Sequence, residues 1–469
     1  MGNARFEELL AHAKTASKPS ELKITDIKIC EIGRSFGTAV IKILTNQGIE
    51  GYGQVREHSA AVFAVMLKRL LIGENPCNVD KLFRRIKQFG WHSHQGGGVS
   101  GIEVALWDLA GKAYGIPVWQ LLGGKFRDKV RIYCDTDIHG KHDGTAMGKV
   151  LKERIDTMGY NVVKMDLSAD ELCFGVPGAT TLPTDTLKQF DMDADFDYRA
   201  FSRSINDPGL DKAKRHEMIK MRNDRVYREC VPGSQRGIHL TEYGLDIMEE
   251  YVKQVRDVVG IQIPIATDHF GPISVGSCIQ LAKRLEKYNL AWLEDMVPWM
   301  QADDLAEIQR NTTAPLCTGE DIYLKENYED LFEKRSIRLV HPDIISVGGI
   351  YECKKVGDMA QDYGIQMVIH MNETPIAAMA AAHAAAATEN FFAQEFHHHD
   401  MKDYCDMIVT RDDHIVQNGY INVPEEPGLG ILALNDEWLK ENLAPHCEGK
   451  VWQDTDNWDY WQSRDRIWL

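Results

Sequence analysis

Six titratable side chains recur at nearly equal intervals in the second half of the chain, each at the end of a short apolar segment. The intervals between them are 26, 26, 23, 27 and 25 residues, which is about the length of one strand–helix unit. In a parallel sheet this spacing brings the strand ends to one side, so the six side chains are predicted to converge. They are Asp268, Glu294, Glu320, Asp343, His370 and Glu395.

The first three of these residues predict a metal site. Asp268, Glu294 and Glu320 offer only hard oxygen ligands. Bare carboxylates that share one site raise one another's pKa, and a divalent cation relieves this repulsion. Because the set contains no cysteine or histidine, it suits Mg²⁺ better than Zn²⁺. We therefore expect Mg²⁺ as the cofactor.

Two further pairs of residues are candidates for proton transfer. Asp343 and His370 lie on adjacent segments, and a carboxylate beside an imidazole fixes its tautomer and raises its basicity. Lys164 ends an earlier apolar segment, and a lysine there is costly unless it is paired or functional. A cation nearby should lower the pKa of Lys164, which would make it a base or a donor to an oxyanion. Asp166 follows on the same strand face and is expected to be ionised, as a partner for Lys164 or an acceptor for a substrate hydroxyl.

The elements that must position these residues are short apolar segments alternating with helical ones, a pattern typical of a parallel α/β sheet. Eight such strands with intervening helices indicate a closed barrel over residues 126–400. The predicted strands are 130–134, 161–165, 263–267, 290–293, 315–318, 337–340, 366–369 and 391–394.

The regular spacing is interrupted once, by a polar insertion at residues 168–236. A compact barrel does not need a connection of this length. Because the insertion follows the second strand, it should emerge at the C-terminal mouth of the barrel, where active sites lie. We expect it to form a partly helical lid over the site.

Residues 22–125 precede the barrel and predict an α+β domain, after an N-terminal extension at 1–21 with a short helix over 4–16. The expected strands are 24–32, 38–45 and 49–55, and the expected helices are 60–71, 79–89 and 101–114. After the barrel, residues 401–469 should form a hairpin from strands 407–416 and 420–423, followed by a tail that packs onto the body or another subunit.

Composition limits the possible partners. The chain has 469 residues and a net charge of −17 at pH 7, which argues against nucleic acid and anionic membranes as partners. No run approaches the ~20 apolar residues of a membrane span, and none of the ten cysteines forms a CxxC pair. We expect a cytoplasmic, homo-oligomeric protein with reduced thiols and a small-molecule substrate.

Several motifs carry a family resemblance. Residues 101–112 (GIEVALWDLAGK), followed by Gly115-Ile116-Pro117, Trp292-Leu293-Glu294-Asp295 and Pro427-Gly428-Leu429-Gly430, resemble the mandelate racemase subgroup of the enolase superfamily over about residues 22–435. The resemblance implies an α/β fold with a modified (β/α)₇β barrel of the TIM type and an α+β capping domain built from both chain ends.

The resemblance also implies roles for individual residues. Asp268, Glu294 and Glu320 would bind Mg²⁺, His370 with Asp343 would be the base, and Glu395 would hydrogen-bond the substrate carboxylate as it becomes an enediolate. Lys164 is the first residue of the family's Lys-x-Lys element. Capping loops choose the substrate in this family, and the residues in such loops here are Arg34, Arg56, His58 and Trp91.

Two departures from the family pattern bear on the reaction. Asp166 replaces the second lysine of the Lys-x-Lys element, and Phe270 stands where several sugar-acid dehydratases have a general-acid histidine. His269 is adjacent and is kept as a candidate substrate contact, although strand alternation turns it away from the mouth. His397, in a run of three histidines, is a further candidate. The sequence identifies no general acid for the leaving hydroxyl group, although His370, once protonated, could donate this proton in a syn elimination.

The sequence therefore predicts a lyase that converts a 2,3-dihydroxy acid sugar into a 2-keto-3-deoxy acid by α-proton abstraction and β-elimination. The position of the insertion resembles loops of mannonate, gluconate and galactonate dehydratases. The alternatives are a racemase, epimerase or cycloisomerase that uses the same enediolate, and more remotely a non-catalytic binding or structural protein.

Overall fold

The computed structural model describes residues 3–13, 17–33, 37–92, 96–138, 141–181, 204, 209–226 and 238–460. After a helix at Asn3–Ala13, an antiparallel sheet contains strands β1 (Ile24–Glu31), β2 (Ala39–Thr45) and β3 (Glu50–Gln54). The three strands agree with the prediction to within two residues at each end.

Four helices cover this sheet. They are His58–Met66, Lys68–Leu71, Val79–Ile86 and Val99–Tyr114. The single helix expected over 60–71 is wrong in one respect, because the chain leaves the helical hydrogen-bonding pattern at Leu67 and forms two helices. Sheet and helices share a separate apolar core, which includes Ile27, Ile41 and Leu106.

The helix Val99–Tyr114 connects this capping domain to the rest of the chain. It lies so close to β3 that a Cβ atom on Gly101 would be 2.0 Å from the carbonyl oxygen of Gln54. On another face, the buried Glu103 accepts hydrogen bonds from the backbone N–H groups of Ile350 (2.7 Å) and Tyr351 (3.1 Å). These donors begin the helix Ile350–Asp362 of the second domain, so Glu103 caps a helix across the domain boundary.

The second domain is a closed barrel of eight parallel strands, as the sequence predicts. Each strand pairs with the next, and the last pairs with the first. The strands are β4 (Lys129–Cys134), β5 (Val163–Asp166), β6 (Ile265–Asp268), β7 (Leu293–Glu294), β8 (Leu316–Thr318), β9 (Leu339–Val340), β10 (Gln366–Ile369) and β11 (Phe391–Phe396).

The helices between the strands form the outer wall, and several begin with a side-chain cap. Thr241, Ser274 and Thr374 each accept a hydrogen bond from a backbone N–H in the first turn that follows. The helices that follow the first seven strands are Gly144–Met158, Glu242–Val259, Val275–Leu285, Ala302–Arg310, Glu329–Glu333, Ile350–Asp362 and Pro375–Ala386.

The barrel interior is layered by polarity. Eight side chains, one from each barrel strand or from the residue just before it, form a buried apolar cluster. They are Tyr133, Val162, Ala266, Trp292, Cys317, Leu339, Val368 and Ala393. Side chains two residues apart share a face of a strand. The next inward layer is therefore Asp135, Lys164, Asp268, Glu294, Gly319, His341, His370 and Glu395. A polar layer thus lies directly above an apolar floor, on the C-terminal side of the barrel.

The C-terminal segment differs from the prediction. The strand expected over 407–416 is wrong, because its polar middle forms a loop and Ile408–Val409 (β12) pairs instead with Ala433–Leu434 (β15). The hairpin is shorter, with β13 (Val416–Gln417) and β14 (Tyr420–Asn422) joined by Asn418 and Gly419 at positive φ, and β14 adds to the barrel at β4.

After the helix Asp436–Glu441, the chain returns to the capping sheet. The backbone N–H of Ala444 donates to the carbonyl of Glu31 (2.9 Å), and that of Gln453 donates to the carbonyl of Ile29 (2.8 Å). The end of the described chain therefore lies against β1.

The two ends of the long insertion meet at the C-terminal mouth of the barrel. The backbone N–H of Leu167 donates to the carbonyl of Asp268 (2.8 Å), and Thr180 forms a bridge with Leu240. The helices Ala169–Leu172 and Lys212–Val226 are described, but much of 182–237 lies outside the described residues, and the lid remains a prediction. Among the described residues, none of the helices combines the length and apolarity needed to cross a bilayer.

The close approach of the helix Val99–Tyr114 to β3 gives a stability prediction. In Gly101→Ala, the added methyl group would meet the backbone oxygen of Gln54, which cannot rotate away. We expect the free energy of unfolding to fall by about 1–3 kcal/mol, as measured by urea unfolding followed through tryptophan fluorescence. Gly175→Ala is the control, because a Cβ there has no atom within 4 Å. Equal unfolding curves for the two variants would contradict the packing argument.

Candidate active site

Lys164 lies at the centre of the polar layer and is fully buried. Its ammonium group is 2.9 Å from Asp268 Oδ2, 3.1 Å from Glu294 Oε1 and 2.6 Å from Glu395 Oε1. Burial works against the charge on Lys164, but Asp135 and the three contacting carboxylates outweigh it and raise the lysine pKa well above its ordinary value. This rise reflects the protein's own charges, and the fall expected for Lys164 beside a bound cation stays a prediction. Among the protein's own groups, Lys164 is a fixed cation and not a base.

Glu294 is held by two neighbours from the barrel interior. The indole Nε1 of Trp292 donates to Glu294 Oε2 (2.7 Å), and His341 Nδ1 lies 2.8 Å from Glu294 Oε1. The other ring nitrogen of His341 lies 2.8 Å from the hydroxyl of Tyr133. Since all four side chains are buried, the orientation of the Glu294 carboxylate is set by Trp292 of the apolar floor and by His341, which follows β9.

The structure forms the predicted pair of Asp343 and His370. His370 Nδ1 is 2.8 Å from Asp343 Oδ2, and Asp343 Oδ1 accepts the backbone N–H groups of Ile345 and Ser346, each at 2.7 Å. Nε2 of His370 therefore points into the mouth, 2.9 Å from Glu320 Oε2 and 3.5 Å from Glu395 Oε2. A base that removes an α-proton would act from this position.

Burial opposes the charge on His370, but Glu320 and Glu395 raise the pKa of the imidazole well above its ordinary value. For Glu395, burial is outweighed by Lys164 and His370, which lower its pKa well below the ordinary value. Glu395 is therefore an acceptor among the protein's own groups. The donor role implied by the resemblance requires a proton that this environment disfavours.

Arg56 reaches from the capping domain into the barrel mouth. One guanidinium nitrogen is 3.4 Å from Glu320 Oε1, another donates to the hydroxyl of Ser346 (2.9 Å), and Nε is 3.5 Å from Glu373 Oε1. Arg56 was predicted as a substrate contact. In the structure its charge is used to hold Glu320, so its position argues first for orienting a candidate metal ligand.

The other predicted substrate contacts are distributed differently. His397 lies beside Glu395 in the mouth, with Nε2 3.4 Å from Glu395 Oε1. Trp91 is 56% exposed and packs edge-on against Tyr323, 5.5 Å between ring centroids. Arg34 and the side chain of His58 lie outside the described residues.

His269 departs from the alternation that turned it away from the mouth. The strand ends at Asp268, and His269 adopts a left-handed φ of 56°. Its backbone N–H donates to Asp268 Oδ1 (2.6 Å), and its Nε2 is 3.8 Å from Asp268 Oδ2. The side chain is thus exposed at the mouth, beside a candidate metal ligand.

Asp166 pairs with Asp268 in the parallel register and accepts the backbone N–H of Ile138 (3.0 Å). Burial and the charge of Asp135 raise the pKa of Asp166 well above its ordinary value. The expectation of an ionised partner for Lys164 is therefore not met among the protein's own groups, because Lys164 directs its ammonium at three other carboxylates.

Sequence reasoning missed three residues of the mouth. They are His341, Asp135 and Glu373, and all are buried. His341 lies two residues before Asp343, and Asp135 lies two residues after the buried Tyr133. Because strand residues two apart share a face, alternation predicts that both side chains point into the barrel. Nothing in the sequence indicates the contact of Glu373 with Arg56, which joins two domains.

The residues present fit a divalent cation. Asp268 and Glu294 converge on one ammonium group, and burial with the charges of Asp268, Glu294 and Glu320 raises the pKa of the neighbouring Asp295 well above its ordinary value. The charges of all three candidate ligands thus reach Asp295, the residue after Glu294. The ligands are oxygens only, as Mg²⁺ prefers.

Comparisons with known proteins agree with this architecture. The N-terminal domain model of the mandelate racemase/muconate lactonizing enzyme family matches residues 15–123, and the enolase C-terminal domain-like model matches residues 210–437. The D-xylonate dehydratase of Haloferax volcanii is 30% identical over 417 residues, which cover 88% of this chain and 87% of that protein.

Two further relatives give the same picture. The D-galactonate dehydratase of Ralstonia pickettii is 26% identical over 434 residues, which cover 89% of this chain and 94% of that protein. A crystal structure of a mandelate racemase/muconate lactonizing enzyme-like protein from Rubrobacter xylanophilus superposes with a TM-score of 0.71 at 26% identity, covering 90% of this chain and 98% of that one.

The support of Glu294 by Trp292 gives a binding prediction. Trp292→Phe removes the N–H that orients Glu294 Oε2, and such changes around a metal ligand typically weaken binding 10–100-fold. We expect a loss of about that size in Mg²⁺ affinity, measured by isothermal titration calorimetry. Trp119→Phe is the matched control, because its indole donates to the carbonyl of Pro424. Unchanged affinity in Trp292→Phe would show that the orientation of Glu294 does not depend on the indole.

Proposed function

We propose that this chain, which belongs to the mandelate racemase/muconate lactonizing enzyme family of the enolase superfamily, is a hydro-lyase that dehydrates an acid sugar. The observation that carries the proposal is one buried mouth that places the His370–Asp343 pair, Glu395 and Lys164 around a common centre. The dehydratase names of the Haloferax and Ralstonia relatives support the reaction class.

The residues that would hold Mg²⁺ are Asp268, Glu294 and Glu320. When bound, the cation supplies Lewis acidity to the substrate carboxylate and stabilises the negative charge that develops on it. Glu320 is the strongest of the groups that raise the pKa of His370. A cation on Glu320 would therefore return the imidazole towards the neutral form that a base requires.

His370 then acts through Nε2, while Asp343 keeps the proton on Nδ1. The α-proton passes to Nε2, and the electrons of the broken C–H bond move into the carboxylate to give an enediolate. Lys164 holds a positive charge beside Glu395, and burial strengthens the attraction of this charge for the negative charge that develops in the reaction. A substrate carboxylate next to Glu395 raises the pKa of Glu395 by like-charge repulsion, so Glu395 takes up a proton from solvent and donates it in a hydrogen bond to the enediolate.

Collapse of the enediolate breaks the C3–O bond, and the β-hydroxyl group leaves as water when a general acid protonates it. The remaining enol becomes a 2-keto-3-deoxy acid. The residue at position 166 favours this outcome over racemisation. A racemase needs a competent base on each side of the α-carbon, and Asp166 stands where the family pattern has a second lysine. Chemistry from the side of His370 alone is compatible with elimination.

The test is a screen of five- and six-carbon acid sugars, D-xylonate and D-galactonate among them, with Mg²⁺ in D₂O. We expect ¹H NMR to show a 2-keto-3-deoxy acid with deuterium at C3 from at least one substrate, and no product after chelation of the metal. Interconversion of two epimers with deuterium at C2 and no keto acid would instead establish a racemase or epimerase.

A further inference from the structure

His397 is a second histidine in the mouth, beside the groups that take part in α-proton removal. It follows Glu395 by two residues, and its Nε2 is buried, 3.4 Å from Asp135 Oδ2 and 3.4 Å from Glu395 Oε1. Neither contact is aligned as a hydrogen bond, and among the described residues Nε2 has no hydrogen-bond partner. A buried ring nitrogen in this state is available to a ligand.

His397 and Asp135 lie on the other side of Glu395 from His370 and Asp343, but Asp135 approaches Nε2 of His397, whereas Asp343 bonds Nδ1 of His370. The pairing of Phe396 with Cys134 in β11 and β4 brings His397 next to Asp135. Each imidazole approaches a different oxygen of Glu395, His370 at Oε2 and His397 at Oε1, and the two ring centroids are 6.1 Å apart. A substrate beside Glu395 would therefore have one imidazole within reach on each side.

Asp135 is held in place beside this second ring. Its Oδ1 accepts the backbone N–H of Thr136 (2.8 Å), and its carbonyl accepts the guanidinium of the buried Arg154 (3.0 Å). Arg154 also bonds to Asp400 (2.9 Å), just after the histidine run. These contacts fix the ends of β4 and β11 relative to each other and leave Asp135 Oδ2 directed at His397.

We propose that His397, which lies between Asp135 and Glu395, is the general acid that protonates the β-hydroxyl group as it leaves. The inference rests on the proposed dehydratase function and supplies the acid that the sequence did not identify. His370 takes the α-proton, the electron pair of that C–H bond forms the C2–C3 double bond, and the C3–O bond breaks with its electrons on oxygen. Nε2 of His397 gives its proton to this oxygen, and water is formed.

The charges around His397 suit an acid. Burial disfavours the imidazolium, but Asp135 and Glu395 outweigh burial and raise the pKa of His397 above its ordinary value. The other histidines of the mouth are less suitable. His341 is in contact with Glu294 and Tyr133 beneath the site, and the ring of His269 is exposed beside Asp268.

The experiment compares His397→Asn, His370→Asn and wild-type protein with Mg²⁺ and the acid sugar found by the screen, in D₂O. Three quantities are followed: keto acid formation, deuterium incorporation at C2 of the remaining substrate, and fluoride release from the 3-deoxy-3-fluoro analogue of that substrate. Fluoride leaves without a general acid, so the analogue bypasses the role assigned to His397 and leaves the α-proton step unchanged.

We expect His397→Asn to lower kcat for keto acid formation at least about 10²-fold, with a smaller change in KM. The same variant should still exchange the α-proton and release fluoride at nearly the wild-type rate. His370→Asn should lose all three activities. Asp135→Asn should lower kcat less than His397→Asn does, and His446→Asn, at an exposed position paired with Glu31, should change nothing.

Two results would overturn the assignment of His397. Keto acid formation by His397→Asn at the wild-type rate would show that another group, such as His370 once protonated, protonates the leaving hydroxyl. Loss of α-proton exchange and fluoride release in His397→Asn would show a structural or substrate-holding role. A wild-type protein that exchanges the α-proton but dehydrates no acid sugar would instead contradict the proposed function, and the role of His397 with it.

Discussion

Repulsion between carboxylates is the constraint on which the barrel mouth depends. Two like charges 4 Å apart repel by about 4 kcal/mol at an effective dielectric constant of 20, and this mouth gathers many acids within one buried region. Those that are buried or nearly so include Asp135, Asp166, Asp268, Glu294, Asp343, Glu373 and Glu395. Lys164, Arg56 and the histidines supply compensating charge, and the pKa values of Asp268, Glu320 and Glu395 are lowered. Burial and neighbouring carboxylates still raise those of Asp166 and Asp295, so compensation does not reach every acid of the mouth. A divalent cation would complete it at the place where the reaction needs positive charge.

The same constraint explains why the capping domain and the barrel form one functional unit. Arg56 crosses the domain boundary to pair with Glu320 and Glu373, so the capping domain supplies part of the charge that makes the mouth possible. The position of Arg56 depends on β3, which packs tightly against the helix Val99–Tyr114. That helix is in turn joined to the barrel by Glu103, at the start of the helix that follows the Asp343 loop. Packing in the capping domain and electrostatics in the barrel are therefore coupled.

The period of the strand–helix units was enough to predict the closed barrel and the six strand-end residues, because both follow from local pattern and spacing. His341 and Asp135 were also within reach, since strict alternation from the apolar layer leads to them. Other features could not be read from the sequence. The left-handed φ of His269 reverses an argument from alternation, and the raised pKa of Lys164 depends on carboxylates from four other strands. The pairing of Arg56 with Glu320 joins residues 264 positions apart, which no local pattern encodes.

Anomalous diffraction from crystals soaked in Mn²⁺, as a substitute for Mg²⁺, tests directly whether the crowded carboxylates form one cation site. The result expected is a single strong peak bonded to oxygens of Asp268, Glu294 and Glu320, with the ammonium of Lys164 outside the metal's ligands and His370 beside the site. A peak at another cluster of the mouth, such as Asp135, Asp137 and His397, with the three proposed ligands unbound, would contradict the assignment of the metal site and of the chemistry built around it.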